Sequence, residues 1–225
     1  MCGIFCSLSR NGHVVPDAST KQLLQKRGPD STGQRQVLID PHTTSQLHAT
    51  FLSTVLSLRG KSIIQQPLHD AATDSILCWN GEAWSIDGEA VVGNDSIAVF
   101  ARLLAACSAH SDASIQSAVD VLSSIRGPYA FVFYDARHNL VYYGRDCLGR
   151  RSLLRKSTPD DTLILSSVCD SSDGSAWAEV EADGIYVVDS SHVSTTTSRH
   201  VPHRSTKGES IGVPLVGKYP SRCNC

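Results

Sequence analysis

Apolar residues recur along this chain with two distinct periods. Short alternating or continuous apolar runs read as strands at residues 4–8 (Ile-Phe-Cys-Ser-Leu), 34–39, 47–58, 76–79 (Ile-Leu-Cys-Trp), 129–134, 140–143, 151–155, 162–168 and 184–189. Pro41-His42-Thr43 marks a turn between the second and third runs, and Asp135 to Asn139 a turn into 140–143. Residues 129–143 are apolar on both faces, so this hairpin needs cover on each side. Three segments follow the helical period instead. Residues 17–26 are entered through Pro16-Asp17 and stopped by Gly28-Pro29, since proline disfavours helix in the residue before it. Asn94-Asp95 offers a cap, after which Ile97, Phe100, Leu103, Leu104 and Cys107 recur at spacings of three and four. Residues 112–124 carry Ile115, Val119 and Leu122 on one face. Strands, then two helices, then strands again imply an α+β layered fold rather than strict alternation.

The 225 residues suffice for one domain with its own core. A formal net charge of −2 excludes the basic footprint of a nucleic-acid binder. No apolar run approaches the roughly 18 residues of a membrane helix. The start, Met1-Cys2-Gly3-Ile4-Phe5-Cys6, lacks the basic and long apolar stretches of a signal peptide. The expectation is a cytoplasmic protein with no nucleic-acid or membrane partner. Composition changes after residue 189. Residues 190–225 are rich in Ser, Thr, His, Gly and Pro and hold five basic residues against the one acid Glu209, which predicts a poorly ordered tail. The eight cysteines sit mostly in apolar stretches, as reduced thiols packed as small hydrophobes do. No Cys-x2-Cys pair is present, and His200, His203, Cys223 and Cys225 match no zinc spacing, so no metal is expected.

Cys2 is the first position with chemistry to offer. Removal of Met1 would leave it with both a thiol and a free α-amine, whose ordinary pKa near 7.7–8 suits a general base at neutral pH. A thiol with a base on its own backbone is an activated nucleophile. The competing reading is that Cys2 is simply a small second residue.

Its neighbours favour chemistry. Met1-Cys2-Gly3-Ile4-Phe5, Arg27-Gly28-Pro29-Asp30-Ser31-Thr32-Gly33, Trp79-Asn80-Gly81-Glu82 and Gly144-Arg145-Asp146-Cys147-Leu148-Gly149-Arg150-Arg151-Ser152-Leu153 occur in this order. Together they resemble the glutamine-hydrolysing (class II amidotransferase) domain of the asparagine synthetase family, over about residues 2–189. The resemblance implies an N-terminal-nucleophile αββα sandwich of two antiparallel sheets flanked by helices. It implies hydrolysis of L-glutamine to glutamate and ammonia in asparagine biosynthesis, with Cys2 as nucleophile and the Asn80 amide and Gly81 N–H as oxyanion donors. Arg59 would take the substrate carboxylate, a task that suits a guanidinium fork. Glu82 and Asp95 would stand near the substrate ammonium, and Arg27 and Asp30 would serve as scaffold. Alternatives remain for two of these: Asn-Gly is also a common hairpin dipeptide, and Asp before an apolar helix is an ordinary N-cap.

The sequence departs from the family pattern in several places. Ala83-Trp84-Ser85 follows the Asn-Gly-Glu motif in place of Ile-Tyr-Asn, Ser152 replaces a proline, and Val168 stands where glutamate is expected. These features resemble the divergent eukaryotic asparagine-synthetase-domain-containing branch. Ser172-Asp173-Gly174-Ser175 is not the phosphate loop of the synthetase domain, so no cofactor is expected here. ATP and magnesium would belong to a synthetase domain or chain acting as a separate partner. Rival readings are an inactive scaffold that keeps the fold, a truncated product lacking the synthetase domain, and a lipidated protein suggested by Cys223-Asn224-Cys225.

Overall fold

The computed structural model describes residues 1–39, 46–58, 62–108, 111–170, 177–190 and 198–203. Arg59, the Pro41–Thr43 turn, Ser172–Ser175 and residues 204–225 lie outside this set. The elements are β1 (Gly3–Ser9), α1 (Ala18–Arg27), β2 (Ser31–Ile39), β3 (Leu47–Val55), β4 (Leu68–His69), β5 (Ile76–Gly81), β6 (Ser85–Ile86), β7 (Glu89–Ala90), α2 (Asp95–Ala106), α3 (Ser111–Ser124), β8 (Tyr129–Asp135), β9 (Leu140–Arg145), β10 (Leu154–Ser157), β11 (Leu163–Ser166), β12 (Ala178–Glu179), β13 (Gly184–Asp189) and β14 (Arg199–Pro202).

Two six-stranded antiparallel sheets result, ordered β12-β10-β11-β1-β3-β2 and β14-β13-β9-β8-β5-β4. Side-chain alternation along each strand assigns the layers. Ile4, Cys6 and Leu8 of β1 pack in one buried cluster with Ile76 and Cys78 of β5 and with Ala130, Val132 and Tyr134 of β8, so this cluster lies between the sheets. The intervening residues Leu77, Trp79, Tyr129, Phe131 and Phe133 turn the other way and meet Val99, Leu103, Val119 and Leu122 of α2 and α3. Phe5 and Leu52 cover Leu24 of α1 on the outer face of the first sheet. The layering is therefore α1, sheet, sheet, α2/α3. It is the αββα sandwich that the motifs imply, and it explains why the 129–143 hairpin is apolar on both faces.

Helix α1 starts as expected, with Asp17 accepting the Thr20 N–H at 2.8 Å. Its end is fixed by space: a Cβ on Gly28 would stand 2.3 Å from the carbonyl carbon of Thr54, so only glycine lets the chain cross β3. At α2 the cap is Asn94, whose Oδ1 accepts the Ile97 N–H at 3.3 Å, and Asp95 is the first helical residue. The reading of Asp95 as the cap is thus corrected, and its carboxylate is available elsewhere.

Residues 199–202 depart from the composition-based reading of a poorly ordered tail after 189. They form β14, paired with β13 from Gly184↔Pro202 to Val187↔Arg199. Backbone pairing at a sheet edge needs no apolar run, which is why composition concealed this strand.

Candidate active site

The alternation that builds the core also builds the site. Cys2 has the parity of Ile4 and Cys6, and Asn80 that of Ile76 and Cys78, so both follow the inter-sheet face to the same end of the sandwich. There they line a solvent-open cleft together with Gly81, Glu82, Asp95 and Arg151. Ser57 and Leu58, which follow β3, form another part of its wall.

Asn80 and Gly81 do not form a hairpin turn. They are ladder residues of β5, opposite Ala130 and Tyr129 of β8. A Cβ at position 81 would meet the Pro128 carbonyl oxygen and the Tyr129 Cβ, each at 2.7 Å, so the close strand approach requires glycine. Asn80 is 1% exposed, and its side-chain Nδ2 is buried without a hydrogen-bond partner. An amide donor left so is costly, by about 1–3 kcal/mol, and such groups call for an explanation in the chemistry of the site.

The Cys2 thiol is half-buried and donates weakly to the Leu56 carbonyl at 3.8 Å. Burial pushes its pKa up, so at neutral pH the group is a thiol rather than a thiolate and needs a base to become nucleophilic. The Met1 amine beside it is shifted down, chiefly by burial. Arg27 Nε donates to the Cys2 carbonyl at 3.2 Å, and Asp30 accepts the Ser57 N–H at 2.7 Å. Both residues therefore hold cleft walls, Arg27 beneath Cys2 and Asp30 beneath Ser57.

The two acidic positions differ in their engagements. Asp95 is 6% exposed, and its Oδ2 accepts from Trp79 Nε1 at 3.0 Å and from the Ala83 N–H at 2.9 Å. Glu82 Oε1 pairs with Arg151 Nη2 at 3.2 Å on the cleft wall. Arg151 is one of the cleft-lining residues that sequence reasoning missed. Its only signal was membership of the Arg150-Arg151 pair, in which nothing distinguishes the two; in the structure Arg150 turns away to Asp146 at 2.9 Å. Gln66 was missed as well: its Oε1 takes the Trp79 N–H at 2.8 Å, bracing β5 beside Asn80. Arg59 lies outside the described residues. Among the described residues no group of three or more His, Cys, Asp and Glu side chains could hold a metal ion, and no helix is long and apolar enough to cross a membrane.

A doubly flanked pair of antiparallel sheets with a polar cleft at the chain start defines an N-terminal-nucleophile-type amidotransferase fold. The chain belongs to the glutamine amidotransferase domain family, whose model matches residues 1–205. It is 36% identical over 205 residues to asparagine synthetase domain-containing protein 1 of Gallus gallus, covering 88% of this chain and 30% of that protein. The Homo sapiens protein of the same name is 33% identical over 195 residues, covering 84% of this chain and 28% of that protein. The chain thus spans less than a third of the length of these relatives. Among solved structures, the glutamine phosphoribosylpyrophosphate amidotransferase from B. subtilis matches with a TM-score of 0.54 at 15% identity, over 88% of this chain and 49% of that one. An allosteric regulatory enzyme of purine biosynthesis matches with a TM-score of 0.57 at 17% identity, over 83% of this chain and 47% of that one. At these identities the two structures speak to the fold.

Proposed function

We propose that this chain hydrolyses L-glutamine to glutamate and ammonia, with Cys2 as nucleophile after removal of Met1. The observation that carries the reading is the buried, unpartnered Nδ2 of Asn80 in the same cleft as the Cys2 thiol. A side-chain donor at the cleft that no protein group engages is what a developing oxyanion requires. In the reaction the Cys2 α-amine takes the thiol proton and sulfur attacks the side-chain amide carbon. Asn80 Nδ2 and the Gly81 N–H receive the oxyanion. The tetrahedral species collapses to a thioester as the C–N bond breaks, and the proton held on the amine leaves with ammonia. Water then attacks the thioester by the same route, releasing glutamate and restoring the thiol.

Substrate selection follows from charge. Arg59 takes the α-carboxylate, while Glu82 and Asp95 provide negative charge for the α-ammonium. The ammonia acceptor in this reading is an activated aspartate held by an ATP-dependent synthetase domain or chain, which connects the activity to asparagine biosynthesis. A cytoplasmic location belongs to the same proposal, and the free thiols among the described residues are in keeping with a reducing compartment.

Cys2→Ser is the direct test, because serine nearly matches the volume of cysteine but ionises far less readily than a thiol. Glutamine hydrolysis and labelling by glutamine-mimicking electrophiles should both disappear while the thermal transition is kept. One residue retained ahead of Cys2, checked by intact mass, should abolish hydrolysis too. A wild-type chain with a free Cys2 amine that neither hydrolyses glutamine nor is labelled is a scaffold, and the reading fails.

A further inference from the structure

The N-terminal end of β1 is held on its two flanks by unlike means. On one flank Gly3 continues the ladder with Thr54 of β3. On the other, Ser167 grips Ile4 twice: its N–H donates to the Ile4 carbonyl at 2.8 Å, and its Oγ accepts the Ile4 N–H at 3.0 Å. Cys2 lies one residue beyond β1, and its carbonyl receives Arg27 Nε at 3.2 Å.

What orients Arg27 is therefore what orients Cys2. Its Nη1 donates to Ser152 Oγ at 3.0 Å and to the Ser167 carbonyl at 3.4 Å. Ser152 Oγ in turn donates to the same Ser167 carbonyl at 2.9 Å, which leaves its lone pairs for the guanidinium. Among the described residues no carboxylate is a partner of Arg27. Apart from a 3.8 Å contact of Nη2 with Met1 Sδ, the planar fork is held by one hydroxyl and two carbonyls, a neutral set that fixes direction without neutralising charge. The charge then remains available to favour the anionic form of the neighbouring thiol.

We propose that Ser152 is a positioning residue for Cys2: its hydroxyl sets the plane of the Arg27 guanidinium, and Arg27 sets the Cys2 carbonyl and with it the direction of the thiol. The inference gives a role to Ser152, one of the departures from the family motif. It rests on the reading of Cys2 as nucleophile. Among the described residues Arg27 bonds to Cys2 only at its backbone carbonyl, and Ser152 bonds only to Arg27 and Ser167, so Ser152 acts on the thiol through geometry.

The experiment compares the wild type with Ser152→Ala, Ser152→Thr and Arg27→Lys, all with Cys2 at the N-terminus. Glutamine kinetics are read alongside the rate of Cys2 alkylation by iodoacetamide, resolved by peptide mass so that Cys147 and Cys169 do not intrude. Ser152→Ala should lower kcat roughly tenfold with KM within about twofold, since misorientation acts on the reacting atom and not on substrate binding. Cys2 alkylation should slow several-fold, and Ser152→Thr should restore both rates. Arg27→Lys keeps the charge but cannot bridge the carbonyl and hydroxyl in one plane, so it should reproduce the Ser152→Ala defect, and it decides the matter should Ser152→Ala fail to fold. Wild-type kcat and alkylation in Ser152→Ala, or in Arg27→Lys, overturn the proposal, as does a lowered Tm with both rates intact. If the wild type itself does not hydrolyse glutamine, the glutaminase reading falls, and the alkylation rates alone decide the role of Ser152.

Discussion

Asn80→Ala should separate catalysis from stability, because the donor it deletes holds no other protein group in place. Asn80 is 1% exposed and its Nδ2 has no partner. Deleting an orphaned donor of this kind returns about 1–3 kcal/mol of desolvation penalty. Against that stands the packing lost with three side-chain heavy atoms, about 2 kcal/mol if each counts as a buried methylene. The two nearly cancel, so the thermal midpoint should move by no more than roughly 4 °C in a domain of this size. Turnover should behave differently. Loss of one oxyanion donor raises the barrier by about 2.7–4 kcal/mol, a fall of roughly 10²–10³ in kcat. The assay is glutaminase kinetics on the chain beginning at Cys2, beside thermal unfolding of the same preparation. Labelling by a glutamine-mimicking electrophile should persist in part, since the thiol is untouched. A kcat within threefold of wild type would refute the reasoning. So would a collapse in stability with activity lost only in proportion to unfolded protein, because Asn80 would then be structural.

Two further predictions concern substrate charge. Arg59→Ala should raise the KM for glutamine by roughly 10- to 100-fold with little change in kcat, the loss of a charged hydrogen-bonded contact of about 1.5–3 kcal/mol. An unchanged KM there, with a comparable rise in Arg151→Ala, would move the carboxylate contact to Arg151, which already reaches the cleft and Glu82. Asp95→Asn can still accept from Trp79 Nε1 and the Ala83 N–H but carries no charge. It should therefore raise KM at a nearly constant Tm, and a wild-type KM would remove Asp95 from substrate binding.

The layers of this fold were legible wherever side chains carry them. Runs such as 129–134 and 140–143 declare burial on both faces, and the structure supplies a second sheet on one side and α2/α3 on the other. Elements held mainly by backbone pairing were harder to read. The first residues of β2, Ser31 to Gln36, are polar and largely exposed, yet they pair with β3 in continuous register from Ser31↔Val55 to Gln36↔Thr50. The expected strand accordingly began three residues late. β14 is the same case at the opposite sheet's edge. Hydrophobic periodicity reports faces, and an edge strand with one wet face gives it little to report.

The candidate site divides along the same line. Two motifs pointed to Cys2 and to Asn80-Gly81-Glu82, the family resemblance pointed to Asp95, and strand parity explains why the distant Cys2 and Asn80 meet. Cys2 stands two residues before Ile4, and Asn80 two residues after Cys78, each the next position on the inter-sheet face beyond a core residue. Hydrophobic filling ends there, so a polar cleft can open without a hole in the core. What parity cannot supply is the set of braces. Asp95 ties Trp79 and Ala83, the residues on either side of Asn80-Gly81-Glu82, to the first turn of α2 through one carboxylate oxygen. That turn can carry the negative charge because acidic groups are favoured at a helix N-terminus. The same residue lines the cleft, so in the proposed mechanism the clamp that braces Asn80 and Gly81 would also offer charge to a substrate ammonium. Under the proposed mechanism, substrate binding and transition-state geometry would both depend on this one side chain, whose two engagements follow from folded distance and not from sequence spacing.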